Sequence, residues 1–420
     1  MTVIIFRENK GLKLKYLVLI LLLSITVLIT RRPDVFAHPQ LWAEDGAVFL
    51  YQVWNGSVLD SLLSPRDGYF QTLPKLTMAL ASLFDLSMVA SISLIIATSI
   101  RLMFIVYILS SRLSSIDIKL RVIFAIYYLL QPNVQEGYIN ITNAHTYLAI
   151  YLLAIIISEE PKSKLWKAHD LIVLAISGVS GPFIALLAPS LAIKRLYQRG
   201  GIIAALKKIN AFDLLFSLCF AIQVFSVIFG DFTRTRTTLG ASLPLFFDIF
   251  SYKVIIGSFL DLRYADWIID KAVINTALTC LVIVASALMF FKEGWQVKVT
   301  ILYISLSLFV SVYKPVINHH GNQWPLFFSP LVASRYFIVS GMGMFCLALY
   351  YIRSAKKNHS IAMYATCLAI FSCLCISYRI PRLENVGYQD DLNTFREARP
   401  GESIKIRINP PGWEMNLLKK

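Results

Sequence analysis

Two adjacent carboxylates, Glu44 and Asp45, stand in the string Trp42-Ala43-Glu44-Asp45-Gly46, directly ahead of an apolar stretch with helical spacing. Acids so placed can simply serve a helix, because negative charge near a helix N-terminus is favoured by the macrodipole. They can also do chemistry. The same stretch holds His38 and the aromatic residues Trp42, Phe49, Tyr51 and Trp54, followed by Gly68-Tyr69-Phe70-Gln71-Thr72-Leu73-Pro74-Lys75. Carboxylates beside aromatic rings suit a sugar, whose C–H face stacks on a ring while its hydroxyls seek the carboxylates. Transfer of a group to a hydroxyl needs a base to take the proton and cations to stabilise a departing anion. Asp45 is the first choice for that base, with Glu44 sharing the role or positioning the acceptor. Lys75, Arg335, Arg234 and Arg236 are the cations available to a phosphate. Arginine suits bidentate phosphate contact and lysine serves as a point charge. Each of these cations reads equally well as an interfacial residue meeting lipid headgroups.

Other polar residues could line the same pocket. Glu136, in Gln135-Glu136-Gly137-Tyr138, is either a second acid in the cavity mouth or a solvated loop residue. His145, in Asn140-Ile141-Thr142-Asn143-Ala144-His145, and His320, beside His319, fall at or near membrane depth, where ionisable groups are functional candidates but a single His can equally be structural. A divalent cation on Glu44 and Asp45 would find an incomplete site, since two carboxylates fall short of a full ligand set. No metal site is assigned.

The elements that must carry these residues follow from composition. Of 420 residues 57% are hydrophobic and 15% charged, with a mean hydropathy of +0.63, against about 45–50% apolar and about 25% charged in soluble domains. The chain is an all-α polytopic membrane protein. Its net charge of +15 raises the question of a nucleic-acid partner, but the Lys and Arg residues sit in short clusters between apolar runs and form no basic face. That is the layout by which a membrane protein fixes its orientation. Apolar runs at 16–30, 87–110, 121–131, 145–158, 170–178, 182–194, 211–229, 272–291, 299–313, 333–352 and 360–378 give about eleven spans. The first, preceded by Arg7, Lys10, Lys13 and Lys15, has the look of a signal peptide too. It is read as an uncleaved helix with a cytoplasmic N-terminus. Every alternate loop is then basic, and the odd count places the C-terminal tail on the opposite side, the periplasm in a bacterium.

On that side lie a long first loop, 31–86, with interfacial helices over 47–63 and 76–86, and further loops at 230–270 and 314–334. The tail, 379–420, follows a transmembrane domain spanning 1–378. Two spans are short and broken at Leu129-Leu130-Gln131-Pro132-Asn133 and at Ser177-Gly178-Val179-Ser180-Gly181-Pro182. Irregular backbone at membrane depth survives only where protein or water satisfies it, so the breaks predict a pocket opening on the loop side, roofed by the first loop. Arg101 falls inside a span and either pairs with another helix or faces that pocket. The six cysteines all fall in apolar runs and read as small buried hydrophobes without a disulfide or zinc. In the tail, Ser403-Ile404-Lys405-Ile406-Arg407-Ile408 alternates and predicts one strand ending in a turn. It either covers the cavity, touching a saccharide through Trp413, or simply packs on the first loop. Phosphate-binding Gly-rich loops, His-Glu-x-x-His and Gly-x-Ser-x-Gly are missing from the sequence, which disfavours a soluble nucleotide-sugar donor.

The order of short tail, first helix, long acidic loop, many helices and outer tail resembles the GT-C class of polyprenyl-phosphate-sugar-dependent glycosyltransferases. Within it, the chain is most similar to the bacterial serotype-converting O-antigen glucosyltransferases. The matching residues are Trp42-Ala43-Glu44-Asp45-Gly46, Gly68-Tyr69 with Pro74-Lys75, Ser180-Gly181-Pro182-Phe183, Ser334-Arg335-Tyr336 and Ile408-Asn409-Pro410-Pro411-Gly412-Trp413. The resemblance implies a GT-C-like bundle in the bacterial inner membrane. It implies an acidic first-loop base, basic residues on the lipid phosphate, an undecaprenyl-phosphate-linked hexose as donor, most simply glucose, and lipid-linked O-antigen as acceptor. It also implies working companions, a flippase and a synthase for the lipid-linked sugar, and no nucleic acid. Two rivals remain in the residues: a lipid-sugar transporter, which would use the helix breaks as a midplane site and show an internal repeat, and an O-antigen polymerase or ligase, which would lean on Arg234 and Arg236.

Overall fold

The computed structural model describes residues 14–230, 237–317, 321–354 and 360–420. A helix occupies each of the apolar runs. In chain order these are α1 (Leu14–Arg31), the short α2 (Pro33–Ala37), α3 (Tyr51–Asn55), α4 (Val58–Leu63), α5 (Thr72–Ala81), α6 (Leu86–Leu109), α7 (Ile118–Leu130), α8 (Ala144–Ile157), α9 (Lys164–Gly178) and α10 (Phe183–Arg199). Then come α11 (Ile202–Lys207), α12 (Ala211–Phe229), α13 (Leu243–Ile249), α14 (Ala272–Lys292), α15 (Trp295–Tyr313), α16 (Ile338–Ser354), α17 (Ser360–Ile376) and α18 (Tyr388–Glu397). Among the described residues, six helices are long and apolar enough to cross a membrane: α1, α6, α12, α14, α15 and the stretch Ser334–Arg353 that includes α16. The chain is therefore mostly helical, with the marks of a multi-pass membrane protein. Alpha-8 and the end of α17 are apolar but shorter. Side-chain caps start several helices: Asp85 accepts from Ser87 N, Asp117 from Lys119 N, and Asn210 with Asp213 forms a capping box.

The bundle has two ends. Residues 31–86, the breaks after α7 and α9, and the C-terminal tail meet at one, called the upper end. The turns around 111–117, 158–163 and 200–210 meet at the lower end. Alpha-7 has 13 residues, about 20 Å at 1.5 Å per residue, short of the roughly 30 Å of a hydrocarbon core. The irregular segment 131–143 follows α7 and leads into α8.

Two elements differ from the sequence reading. The first loop is more broken than two interfacial helices: a π-helix covers Asp45–Leu50 and runs into α3, and α4 and α5 are separate. Breaks fall at Gly56 and across 64–71, where turn-forming residues interrupt the apolar spacing. The tail forms two strands, where one was expected. Strand β1 (Ser403–Ile408) pairs antiparallel with β2 (Trp413–Leu418), Ile408 opposite Trp413. In β2 the alternation is carried by Met415 and Leu417, buried like Ile406 and Ile408, while polar neighbours mask it.

The tail packs on the first loop. Trp54 Nε1 donates to Leu418 O at 2.9 Å, and Asn55 exchanges bonds with Asn416 O and Leu418 N. Gly46 sits so close to the hairpin that a Cβ there would lie 2.8 Å from Ile408 Cδ1. Cysteine burial also departs from expectation: Cys219 is buried, but Cys280, Cys367 and Cys375 are exposed on helix flanks, and all six are free.

Candidate active site

Asp45 opens the π-helix and is 2% exposed. Its carboxylate is held by the break after α7: Thr142 Oγ1 donates to Oδ1 at 2.5 Å and Ile141 N to Oδ2 at 3.3 Å. Both donors are neutral. Burial pushes the carboxyl up to about 7, and the adjoining Glu44 adds to that, against the pull of the Thr142 and Ile141 hydrogen bonds. Glu44 is only partly buried.

Arg335 approaches from the turn Ser334–Phe337 that leads into α16. Glu136 fixes it: Arg335 Nη1 donates to Glu136 Oε2 at 3.0 Å, Arg335 N to the same oxygen at 3.3 Å, and Ala333 N to Oε1 at 2.8 Å. Nη2 donates to Val316 O at 2.9 Å. The Arg335 side chain keeps 34% exposure, with its guanidinium fixed between Glu136 and Val316 O. Lys253 Nζ braces the preceding turn through Ser329 O and Val332 O. Glu44 and His145 are both within electrostatic reach of Arg335. The second break joins them, since Gly181 lies against the His145 side chain and His145 faces the Phe183 ring at 5.6 Å. Asp45, Glu44, Glu136, His145 and Arg335 are thus gathered, with both helix breaks, at one place.

Other candidates fall elsewhere. Lys75 was expected at a lipid phosphate. It is 1% exposed, and its ammonium makes three hydrogen bonds, to Ser61 O, Ser64 O and Ser64 Oγ. It ties α4 to α5 and has nothing left for a phosphate. Burial lowers it to about 8, helped by nearby Arg66, so it stays cationic at neutral pH. Tyr69 pairs backbone to backbone with Arg66 in a turn. The start of α5 is docked on the second break through Thr72 N to Val179 O and Leu73 N to Ser180 Oγ. Trp42 is half-buried and bridges to Asn409. Arg234, Arg236 and His320 lie outside the described residues. Among the described residues no group of three His, Cys, Asp or Glu side chains gathers.

Three residues that matter here were not singled out for these roles from sequence. Thr142 sits in the polar string 140–145, and only the fold shows that its hydroxyl meets Asp45. Arg31 donates to Leu129 O, Gln131 O and Tyr378 O, and Arg101 to Gly137 O while stacking 3.6 Å above the Tyr147 ring. These buried arginines satisfy carbonyls that the short α7 and its break leave without helical partners.

A cavity of about 1100 Å³ forms an apolar crevice between α6–α8 and α14–α16. Phe250, Val254 and Ser340 line it, as do Arg121 and Arg353 of the lower end, while Asp45, Glu44 and Arg335 do not. Comparison with known protein families, curated proteins and solved structures finds no match. The chemistry of the site rests on its own residues.

Proposed function

We propose that this chain is an integral-membrane glycosyltransferase that moves a hexose, most simply glucose, from undecaprenyl phosphate to lipid-linked O-antigen on the periplasmic face of the bacterial inner membrane. In this reading the helices at all eleven apolar runs cross the membrane, the N-terminus is cytoplasmic and the tail periplasmic. The donor depends on a flippase and a synthase for the lipid-linked sugar.

One observation carries the proposal: a buried carboxyl, Asp45, held by neutral donors and poised near neutral pH, whose neighbour Glu44 is within electrostatic reach of Arg335. A base is most effective when its pKa lies near the working pH. Asp45 takes the proton from the acceptor hydroxyl as that oxygen attacks the anomeric carbon. The bond from that carbon to the phosphate oxygen breaks, and Arg335 meets the charge gathering on the leaving polyprenyl phosphate. Glu44, less buried and between them, orients sugar hydroxyls. The crevice supports a lipid-borne donor, because Ser340 on its wall follows Arg335 on the same helical run. A polyprenyl tail lying there would leave its phosphate at the site.

The test compares the mass and linkage of O-antigen repeats from cells with and without the protein, and then with Asp45→Asn and Glu44→Gln. Loss of one hexose per repeat in the deletion and in Asp45→Asn is expected. Full modification by both variants would remove the carboxylates from the mechanism.

A further inference from the structure

The turn carrying Glu44 and Asp45 contains an alanine in the left-handed region: Ala43 has φ 42°. There the Cβ crowds the backbone, and only glycine goes without strain. Ala43 is buried inside a tight turn, with Asp45 N donating to Trp42 O at 2.8 Å and Ala47 N to Ala43 O at 3.1 Å. Strained backbone of this kind persists only where its surroundings over-determine it.

Those surroundings come from the far end of the chain. Ala43 N donates to Asn409 O at 2.5 Å, and Asn409 N donates to Leu41 O at 3.3 Å. Asn409 is itself anchored: it is 1% exposed, and its amide donates to Gln40 Oε1 at 2.7 Å and to Glu384 O at 3.0 Å. Next to it, Ile408 and Met415 press against Gly46, leaving no space for a side chain. The hairpin grips the acidic turn from behind, on backbone and side chain together.

We propose that Asn409 is a positioning residue for Asp45. Anchored by Gln40 and Glu384, it holds Ala43 in the left-handed conformation, which aims the Asp45 carboxylate at Thr142 and the helix break. The tail then serves transfer by fixing the base. This rests on the reading of Asp45 as base, but the grip itself can be tested without it.

The experiment uses the full chain with Asn409→Ala, Ala43→Gly and the two combined, and the milder Gln40→Leu in case Asn409→Ala does not fold. Two readouts are taken: amide hydrogen exchange by mass spectrometry over residues 41–47, and kcat and KM for hexose transfer. Asn409→Ala is expected to speed exchange over 41–47 about tenfold, the size of shift that backbone strain of this kind produces, and to leave 72–81 unchanged. It should lower kcat about tenfold with KM within about twofold, and Gln40→Leu should do the same to a smaller extent. Ala43→Gly added to Asn409→Ala should restore most of kcat, because glycine keeps the turn without the grip. Unchanged exchange over 41–47 in both Asn409→Ala and Gln40→Leu overturns the grip. Faster exchange with unaltered kcat, or a double variant no better than the single, overturns the positioning role. Retained transfer by Asp45→Asn would instead fell the assignment of the base, while the exchange result still decides the grip.

Discussion

Acidic residues are buried at both ends of the helix bundle, and two of them, Asp170 and Asp45, are treated in opposite ways. Among the described residues, Asp170 and Asp213 at the lower end have cations, and so does Asp261 at the upper end, with Arg263 at 2.7 Å. Asp170, 2% exposed, accepts from Arg112 at 2.6 Å and meets His169 at 2.9 Å. Asp213 accepts from Arg195 and Arg199, and the exposed Glu160 adds contacts to Arg195 and to Lys194 at 3.5 Å. Asp45 at the upper end is as buried as Asp170 but has only a threonine hydroxyl and a backbone amide. A buried carboxylate with a guanidinium against it stays ionised and locks two helices together. One facing neutral donors gives and takes a proton near pH 7. Equal burial therefore serves architecture at Asp170 and readiness for proton transfer at Asp45.

The largest expected effect separates these roles by one substitution at each end. Asp45→Asn keeps the shape and removes the base, so transfer should fall roughly 10²–10⁴-fold with the thermal unfolding of the purified protein unchanged. Asp170→Asn should do the reverse. It leaves Arg112 buried without its charge partner, which costs about 3–5 kcal/mol of stability, while the protein that remains folded keeps its turnover per molecule. A shared pattern of stability loss in both variants would erase the distinction between the ends.

The next effect is pH dependence. Asp45 acts when deprotonated, and its carboxyl sits at about 7, so transfer should rise with pH through neutrality and level off above it. At pH 5 the rate should be roughly a hundredth of the plateau. A rate profile taken on membrane vesicles and flat between pH 5 and 8 would mean that Asp45 is not the titrating group.

How much of this was legible in the sequence follows from range. The apolar runs, the two helix breaks and the acidic pair are local patterns, and each falls on the expected element. Asp45, Glu44, Glu136, His145 and Arg335 could be named from their chemistry and their place at the loop ends of the apolar runs. What could not be read was pairing across distance. Glu136 meets Arg335, Thr142 meets Asp45 and Asn409 meets Ala43, each pair joined by contacts that no spacing records. Lys75 misled for the same reason: a lysine before a returning helix is identical in sequence whether its ammonium faces lipid or two serines of a neighbouring turn. Strand β2 was hidden because Glu414 and Asn416 face outward and leave only two apolar positions to alternate.

A smaller effect probes the aim of the upper-end arginine. Glu136→Gln keeps the size of the side chain and weakens the bonds to Arg335 and to Ala333 N. Hydrogen bonds to charged groups contribute about 1.5–3 kcal/mol, discounted here because the Arg335 side chain is 34% exposed. Turnover should therefore drop about tenfold, with the pH midpoint in place because Asp45 is untouched. A shifted midpoint would mean that Glu136 shares the proton with Asp45.

Lys75 gives the smallest functional effect and the sharpest control on the comparison. It lies at the upper end, yet it is satisfied in the manner of the lower end, with its ammonium closed against Ser61 and Ser64. Lys75→Met retains the apolar stem and removes the donors, leaving Ser64 O without its donor and Ser61 O with only the Ser64 hydroxyl. That costs about 1–3 kcal/mol of stability, read as a lower melting temperature, while transfer by the folded protein changes by less than about twofold. The opposite result, turnover reduced about a hundredfold at unchanged stability, would mean that the ammonium leaves its serines to reach the phosphate. The leaving group would then sit beside α5, and Arg335 would lose its role.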